Sequence, residues 1–329
     1  MNLKKTATIA ACCLLIGMST VAQNANHANN FSAGAGKEII QKLSGQQINN
    51  LALLGQVWGF LKYYHPNVAK GKFDWDKELF QKIPPIKNAR TGQELSSILL
   101  NWIDSLGPVP RCRKCDQLPK ELLTYNLDEN WMSDKNFSEP LQQKLQYIKN
   151  NRHQGPGHYV KYGTAAQADF INEKEYDSPE MVYPNESFRL HFLFRYWSTV
   201  NYFFPYRNVI GKDWSALLHE FVPLFAEASD TLQYQTALAT LMHSINDSHT
   251  MASNLVLQEK YGKLFLPVRL KIINDEAVVT GYYDDEYGKK SGLERGDVIE
   301  KVGDKTIKEL IDARAPLVCG LYGDRKSVV

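Results

Sequence analysis

Residues 51–66 read LALLGQVWGFLKYYHP, and residues 190–205 read LHFLFRYWSTVNYFFP. Leu51, Leu54, Trp58 and Leu61 fall at i, i+3, i+7 and i+10, and Leu190, Leu193, Trp197 and Val200 repeat that spacing. Such spacing lines one face of a helix. Each run ends at a proline, Pro66 or Pro205, which lacks the N–H a helix interior needs. Two amphipathic helices with aromatic faces therefore open two similar helical segments.

The similarity extends well past these runs. An offset of 139, the separation of Trp58 and Trp197, carries Tyr63 to Tyr202 and Asp74-Trp75 to Asp213-Trp214 without a gap. It also carries Leu79 to Leu218, Pro84 to Pro223 and Leu99 to Leu238. Each copy, 51–108 and 190–247, predicts three helices. Asp74 and Asp213 are placed to cap the second, because a carboxylate accepts from the unpaired N–H groups of a first turn. Thr91-Gly-Gln-Glu94 has the form of a capping box for the third helix, and Asp230-Thr-Leu-Gln233 is a variant of it. The third helices bury Leu95, Ile98, Leu99, Trp102 and Leu106 in one copy, and Tyr234, Ala237, Leu238, Leu241 and Ile245 in the other. These aromatic faces read as core rather than as a ligand box. The residues between the copies, 116–188, are polar, with one helix near Pro140–Asn150 and the rest loop and short extended pieces that must wrap on the helices.

The chain has 329 residues, 43% of them hydrophobic, and a net charge of +2. It can build a sizeable core, and neither its charge nor any basic run marks nucleic acid as a partner. Residues 1–22 have the form of a signal peptide: Lys4 and Lys5, an apolar run from Ala7 to Met18, and Thr20-Val21-Ala22 as a cleavage site. That predicts an exported protein of the periplasm or cell envelope, with no transmembrane segment. A lipoprotein anchored at Cys12, in Ile9-Ala10-Ala11-Cys12, is the alternative. Residues 23–44 read as a disordered linker. Cys112 and Cys115 form a CxxC without a second ligand pair for zinc, so a local disulfide is expected, and no metal or cofactor. His65, His191, His219 and His243 read as core or surface. No HExxH, P-loop or GxSxG motif occurs.

Beyond Leu264 the pattern changes. Residues 266–273 and 277–283 alternate as strands around a turn at Asn274-Asp275-Glu276. SGLERGDVIEKVGDKTI then fills 291–307, where Gly292 and Gly296 permit backbone angles that a Cβ resists. A helix is expected over Lys308–Ala313. This stretch resembles the PDZ domain of bacterial proteases. By that resemblance YGKLFLPVRL at 261–270 supplies the carboxylate-binding loop, Tyr261, Gly262, Lys263, Leu264 and Phe265. PDZ domains take a peptide C-terminus as an added strand.

A helical region ending in INDSHT (245–250) and followed by a PDZ-like domain is similar to the C-terminal processing (tail-specific) and tricorn-core serine peptidases. The resemblance covers about residues 45–329. It implies a multidomain α+β protein: a duplicated three-helix region over 45–254, then a small β-rich PDZ-like domain over 255–329, expected to be incomplete. It implies serine-type proteolysis of envelope or secreted proteins recognised by their C-termini. In tricorn-like members a Ser-His pair before the PDZ domain supplies the base, which here corresponds to His249 with Ser248 beside it. In others the base is a lysine of a later domain, and Asp247, Ser248 and His249 would then only close a helix. The family's nucleophile lies in an α/β domain that follows the PDZ domain, expected to be absent from this chain. A peptide-binding adaptor without catalysis is the other function this sequence admits.

Overall fold

A computed structural model of the chain describes residues 40–113, 115, 128–163, 168–247, 255–262 and 266–317. The signal peptide, Cys12 and most of the 23–44 segment lie outside the described residues. The last residues of that segment are docked rather than loose: Leu43 is buried and its N–H donates to Glu227 Oε1 at 2.7 Å. The chain is a mixed α+β protein, mostly helical with small antiparallel sheets. Its contacts group into two units that divide between Ser229 and Asp230.

The first unit begins with α1 (Gly45–Tyr64). This helix starts six residues before the apolar stripe because Ser44 and Gln47 form a capping box, Gln47 N–H donating to Ser44 Oγ at 3.2 Å and Ser44 N–H to Gln47 Oε1 at 3.0 Å. His65 ends it, and Pro66 opens the short α2 (Pro66–Ala69). Asp74 caps α3 (Trp75–Lys87) and Thr91 caps α4 (Gly92–Ser105). The Thr91 box closes differently from expectation, since the Glu94 carboxylate takes the Arg90 N–H at 2.8 Å. The middle segment contributes α5 (Glu139–Asn150) and a hairpin of β1 (Val160–Tyr162) and β2 (Ala168–Phe170). Asn185 caps α6 (Glu186–Phe203), and Asp213 caps α7 (Trp214–Ala226).

Helices α1 and α6 are the centre of this unit, and along α1 every residue from Asn50 to Lys62 is buried. They run parallel, with positions 139 apart facing each other. Gly55 abuts the Phe194 ring, Gly59 abuts the Ser198 side chain, and the rings of Tyr63 and Tyr202 are 5.5 Å apart. A Cβ on Gly55 would sit 2.5 Å from Phe194 Cδ1, so glycine is what permits this approach. Each central helix then binds the next helix in the same way. Trp58 Nε1–H donates to the Trp75 carbonyl at 3.1 Å, and Trp75 Nε1–H to the Trp58 carbonyl at 3.2 Å. Trp197 and Trp214 make the same exchange at 2.6 and 3.1 Å. Asn50 Nδ2 donates to the carbonyls of Ile86 and Ala89 at the end of α3, and the buried Arg189 donates to those of Phe225 and Ala226 at the end of α7. Those carbonyls lie in or just past the last turns of α3 and α7, where a helix leaves acceptors for groups outside it.

The second unit starts with α8 (Thr231–His243), capped by Asp230, which accepts from Gln233 N–H at 2.8 Å. By its contacts α8 groups with α9 (Leu255–Tyr261) and the turn Ala315–Leu317. A three-stranded antiparallel sheet follows in the order β3 (Val268–Ile273), β4 (Glu276–Tyr282), β5 (Val298–Ile299). The β3–β4 turn is two residues long, with Asn274 and Asp275 at φ +52 and +65°, the geometry that suits the twist of a hairpin. Between β4 and β5 lie α10 (Asp285–Lys290) and the turns at Gly292 and Gly296, both at positive φ. A second hairpin of β6 (Lys301–Val302) and β7 (Lys305–Thr306) leads into α11 (Ile307–Arg314), whose capping box joins Thr306 and Glu309. The core here is small: Ile272, Ala277 and Ile307, with Leu270, Ile299, Leu310 and Ile311 packed around them.

Candidate functional site

Ser248 and His249 lie outside the described residues, as do Lys263, Leu264 and Phe265. Tyr261 and Gly262 are described. Tyr261 ends α9, half exposed, with the Arg314 guanidinium 5.5 Å from its ring centre. Gly262 follows at φ +111° and its N–H closes on the Gln258 carbonyl at 2.9 Å. Gly262 thus closes the end of α9, and β3 begins six residues further on. That strand is the edge of its sheet, paired only with β4 among the described residues. Its core face carries Leu270 and Ile272, and its outer face carries the exposed Arg269 and Lys271. An unpaired edge of six residues offers main-chain donors and acceptors to an incoming strand.

Cys112 and Cys115 are joined as a disulfide. Cys112 N–H donates to Asn151 Oδ1 at 2.8 Å, which fixes the segment after α4 to the end of α5.

The first unit holds a cluster of charges that the sequence reading did not find. Lys62 Nζ is buried against both oxygens of Glu173, at 2.6 and 2.8 Å, and lies 5.0 Å and 4.6 Å from the ring centres of Trp58 and Tyr159. Arg195 Nε is 3.4 Å from the same carboxylate. Asp76 Oδ1 is 3.0 Å from His191 Nε2, and its Oδ2 accepts from the Tyr176 hydroxyl at 2.9 Å. Burial pushes the Lys62 ammonium down, against the pull of Glu173 and Asp76. Burial alone would raise the Asp76 carboxyl, but His191, Lys62 and Tyr176 hold it well below the usual carboxylate range. Burial and the Asp76 charge push the Tyr159 and Tyr176 phenols up, so both stay protonated.

These are residue types suited to proton transfer, but both oxygens of Asp76 and both of Glu173 are engaged within the chain. What the cluster does is hold residues 173–176 onto α1, α3 and α6, with Lys174 adding an ion pair to Asp74 at 2.6 Å. His65 is a second buried histidine, beside a cavity of about 240 Å³ lined also by Ile103, Pro108, Val109 and the Lys144–Asp104 pair. Burial brings its imidazole down to about 4, with a smaller push from Lys144 and an opposing pull from the Gly107 carbonyl. No group of three or more potential metal ligands occurs among the described residues, and no described helix is long and apolar enough to cross a membrane.

No family model, curated protein or solved structure matches the chain.

Proposed function

We propose that this chain is the substrate-binding portion of an exported serine-type peptidase of the C-terminal processing family, and that its second unit is a PDZ-like module that takes protein C-termini as an added strand. One observation carries the reading: among the described residues β3 is an unpaired sheet edge, preceded in the chain by Gly262 at positive φ. The order of elements after it supports the same reading: hairpin, short helix, two glycine turns, β5, second hairpin, capped helix. In this reading the carboxylate of the bound peptide sits on the N–H groups of residues 261–265, and its backbone pairs with β3.

The reading also holds that the helical region arose by duplication. The matched indole exchanges support this, as do Asn50 and Arg189, which stand 139 residues apart and serve the same helix ends. His249 and Ser248 are assigned the roles of base and supporting hydroxyl, on the family resemblance alone.

The test is peptide binding by the purified chain, read by fluorescence anisotropy, with each peptide made as the free acid and as the C-terminal amide. Free acids should bind and amides should bind at least about ten-fold more weakly, as expected when a charge-assisted contact is lost. Equal binding would remove the carboxylate loop from the proposal. An active-site serine probe that labels the protein in envelope extracts, and is lost on His249→Ala, would support the peptidase assignment. Binding by the purified chain is expected of both readings, so absence of labelling of the natural protein in envelope extracts is what would favour the adaptor.

A further inference from the structure

The sheet β3–β4–β5 carries three charged side chains, Arg269 and Lys271 on β3 and Glu276 on β4. The register opposes Lys271 to Val278 and Arg269 to Gly281, so neither cation faces an acid across the strand pair. Neither makes an ion pair among the described residues. The Arg269 guanidinium stacks 5.4 Å from the centre of the Tyr283 ring, which holds it in place while its hydrogen-bonding edge takes no acceptor there. Glu276 sits one strand further from the open edge, opposite Ile273 at the turn. Residues on the other face of β3, Leu270 and Ile272, point at the apolar side of α11, at Ile307, Leu310 and Ile311.

Successive side chains of a strand point to opposite faces, so a strand added beside β3 inherits this division. One parity of its side chains lies beside Arg269 and Lys271. The other lies on the side of Leu270, Ile272 and α11. We infer that the edge selects extended peptides in which acidic residues alternate with apolar ones, the acids at i and i+2 facing Arg269 and Lys271. This rests on the reading of the second unit as a strand-adding module and names the substrate class that module prefers. Charge complementarity decides the occupant: an alternating basic peptide would bring like charges together directly across the pair.

Three peptides separate pattern from composition: alternating Asp and Val, alternating Lys and Val, and Asp-Asp-Val-Val repeats with the composition of the first. Each is tested against the full chain as free acid and as amide. A favourable cross-strand charge pair changes affinity by about two- to five-fold. The alternating acidic peptide should therefore bind tighter than the paired-acid peptide by about that factor, and tighter than the basic peptide by the product of two such factors. Arg269→Glu with Lys271→Glu, both at exposed positions, should reverse the order of the acidic and basic peptides. Equal affinity for alternating and paired acids, or an unchanged order in the double variant, overturns the inference. A parity effect without a preference for the free acid would instead leave the inference standing and overturn the carboxylate loop. Failure of all three to bind sinks both.

Discussion

Replacing Glu173 with glutamine tests whether the charge cluster holds the middle segment in place. The change keeps the shape and one acceptor but takes from the Lys62 ammonium, 1% exposed, the carboxylate it touches, leaving the more distant Asp76, itself paired with His191 and Tyr176. Taking one partner from a buried ion pair costs about 3–5 kcal/mol, because the remaining charge is neither solvated nor matched. For a unit of this size that lowers the melting midpoint by roughly 6–20 °C. Replacing both, as Lys62→Met with Glu173→Met, removes the stranded charge and should recover most of the loss. The lysine also gives the loss a pH signature. Its folded-state pKa is pushed below the ordinary lysine value, so the unfolded chain binds more protons and the variant gains stability as pH rises towards 10. Urea denaturation followed by tryptophan emission reads all of this, since Trp58 lies beside the ammonium. A Glu173→Gln variant within about 0.5 kcal/mol of the parent, or a double variant as unstable as the single, would refute the reasoning, because surface pairs behave that way and buried ones do not.

Two further outcomes follow from named contacts. His65 is depressed to about 4, so as pH falls the unfolded chain takes up its proton first; stability should drop between about pH 6.5 and 4, by at most about 3 kcal/mol, and then level off. His65→Gln should flatten that window in a series of thermal melts, while the loss due to Asp76, whose pKa is depressed, sets in as pH falls through the ordinary carboxylate value and deepens below it. Gly59→Ala places a methyl group against the Ser198 side chain and should cost about 1–3 kcal/mol in urea denaturation. Adding Ser198→Gly to that variant should restore most of the loss; strictly additive effects would show that the two positions do not meet.

What the sequence made legible was local. Asp74, Thr91, Asp213 and Asp230 each cap the helix their spacing predicted, because an N-cap involves only the few residues around it. The paired tryptophans are legible too, since their offset repeats without a gap. The start of α1 was missed because Ser44 and Gln47 precede any apolar periodicity. The equivalence of Asn50 and Arg189 was hidden because one donates through an amide and the other through a guanidinium. The Lys62–Glu173 pair joins residues 111 apart in a polar segment without periodicity, so nothing nearby announces it. His191 read as core or surface; it is buried, and what sequence could not show is that it meets Asp76, 115 residues away.

The parallel contact between α1 and α6 decides which halves recognise each other. Were Gly55 to meet a second Gly55, a hole the size of a phenyl ring would open between the helices. Two residues like Phe194 at one crossing would find no room, since the phenyl ring already lies where a single Cβ on Gly55 would be. Only the unlike pairing fills the space. A surface that resembles itself is the usual recipe for twofold association of separate chains. Here the mismatch in size at that crossing disfavours like halves and favours unlike ones. A solution of the two halves made as separate polypeptides should therefore sort into mixed pairs.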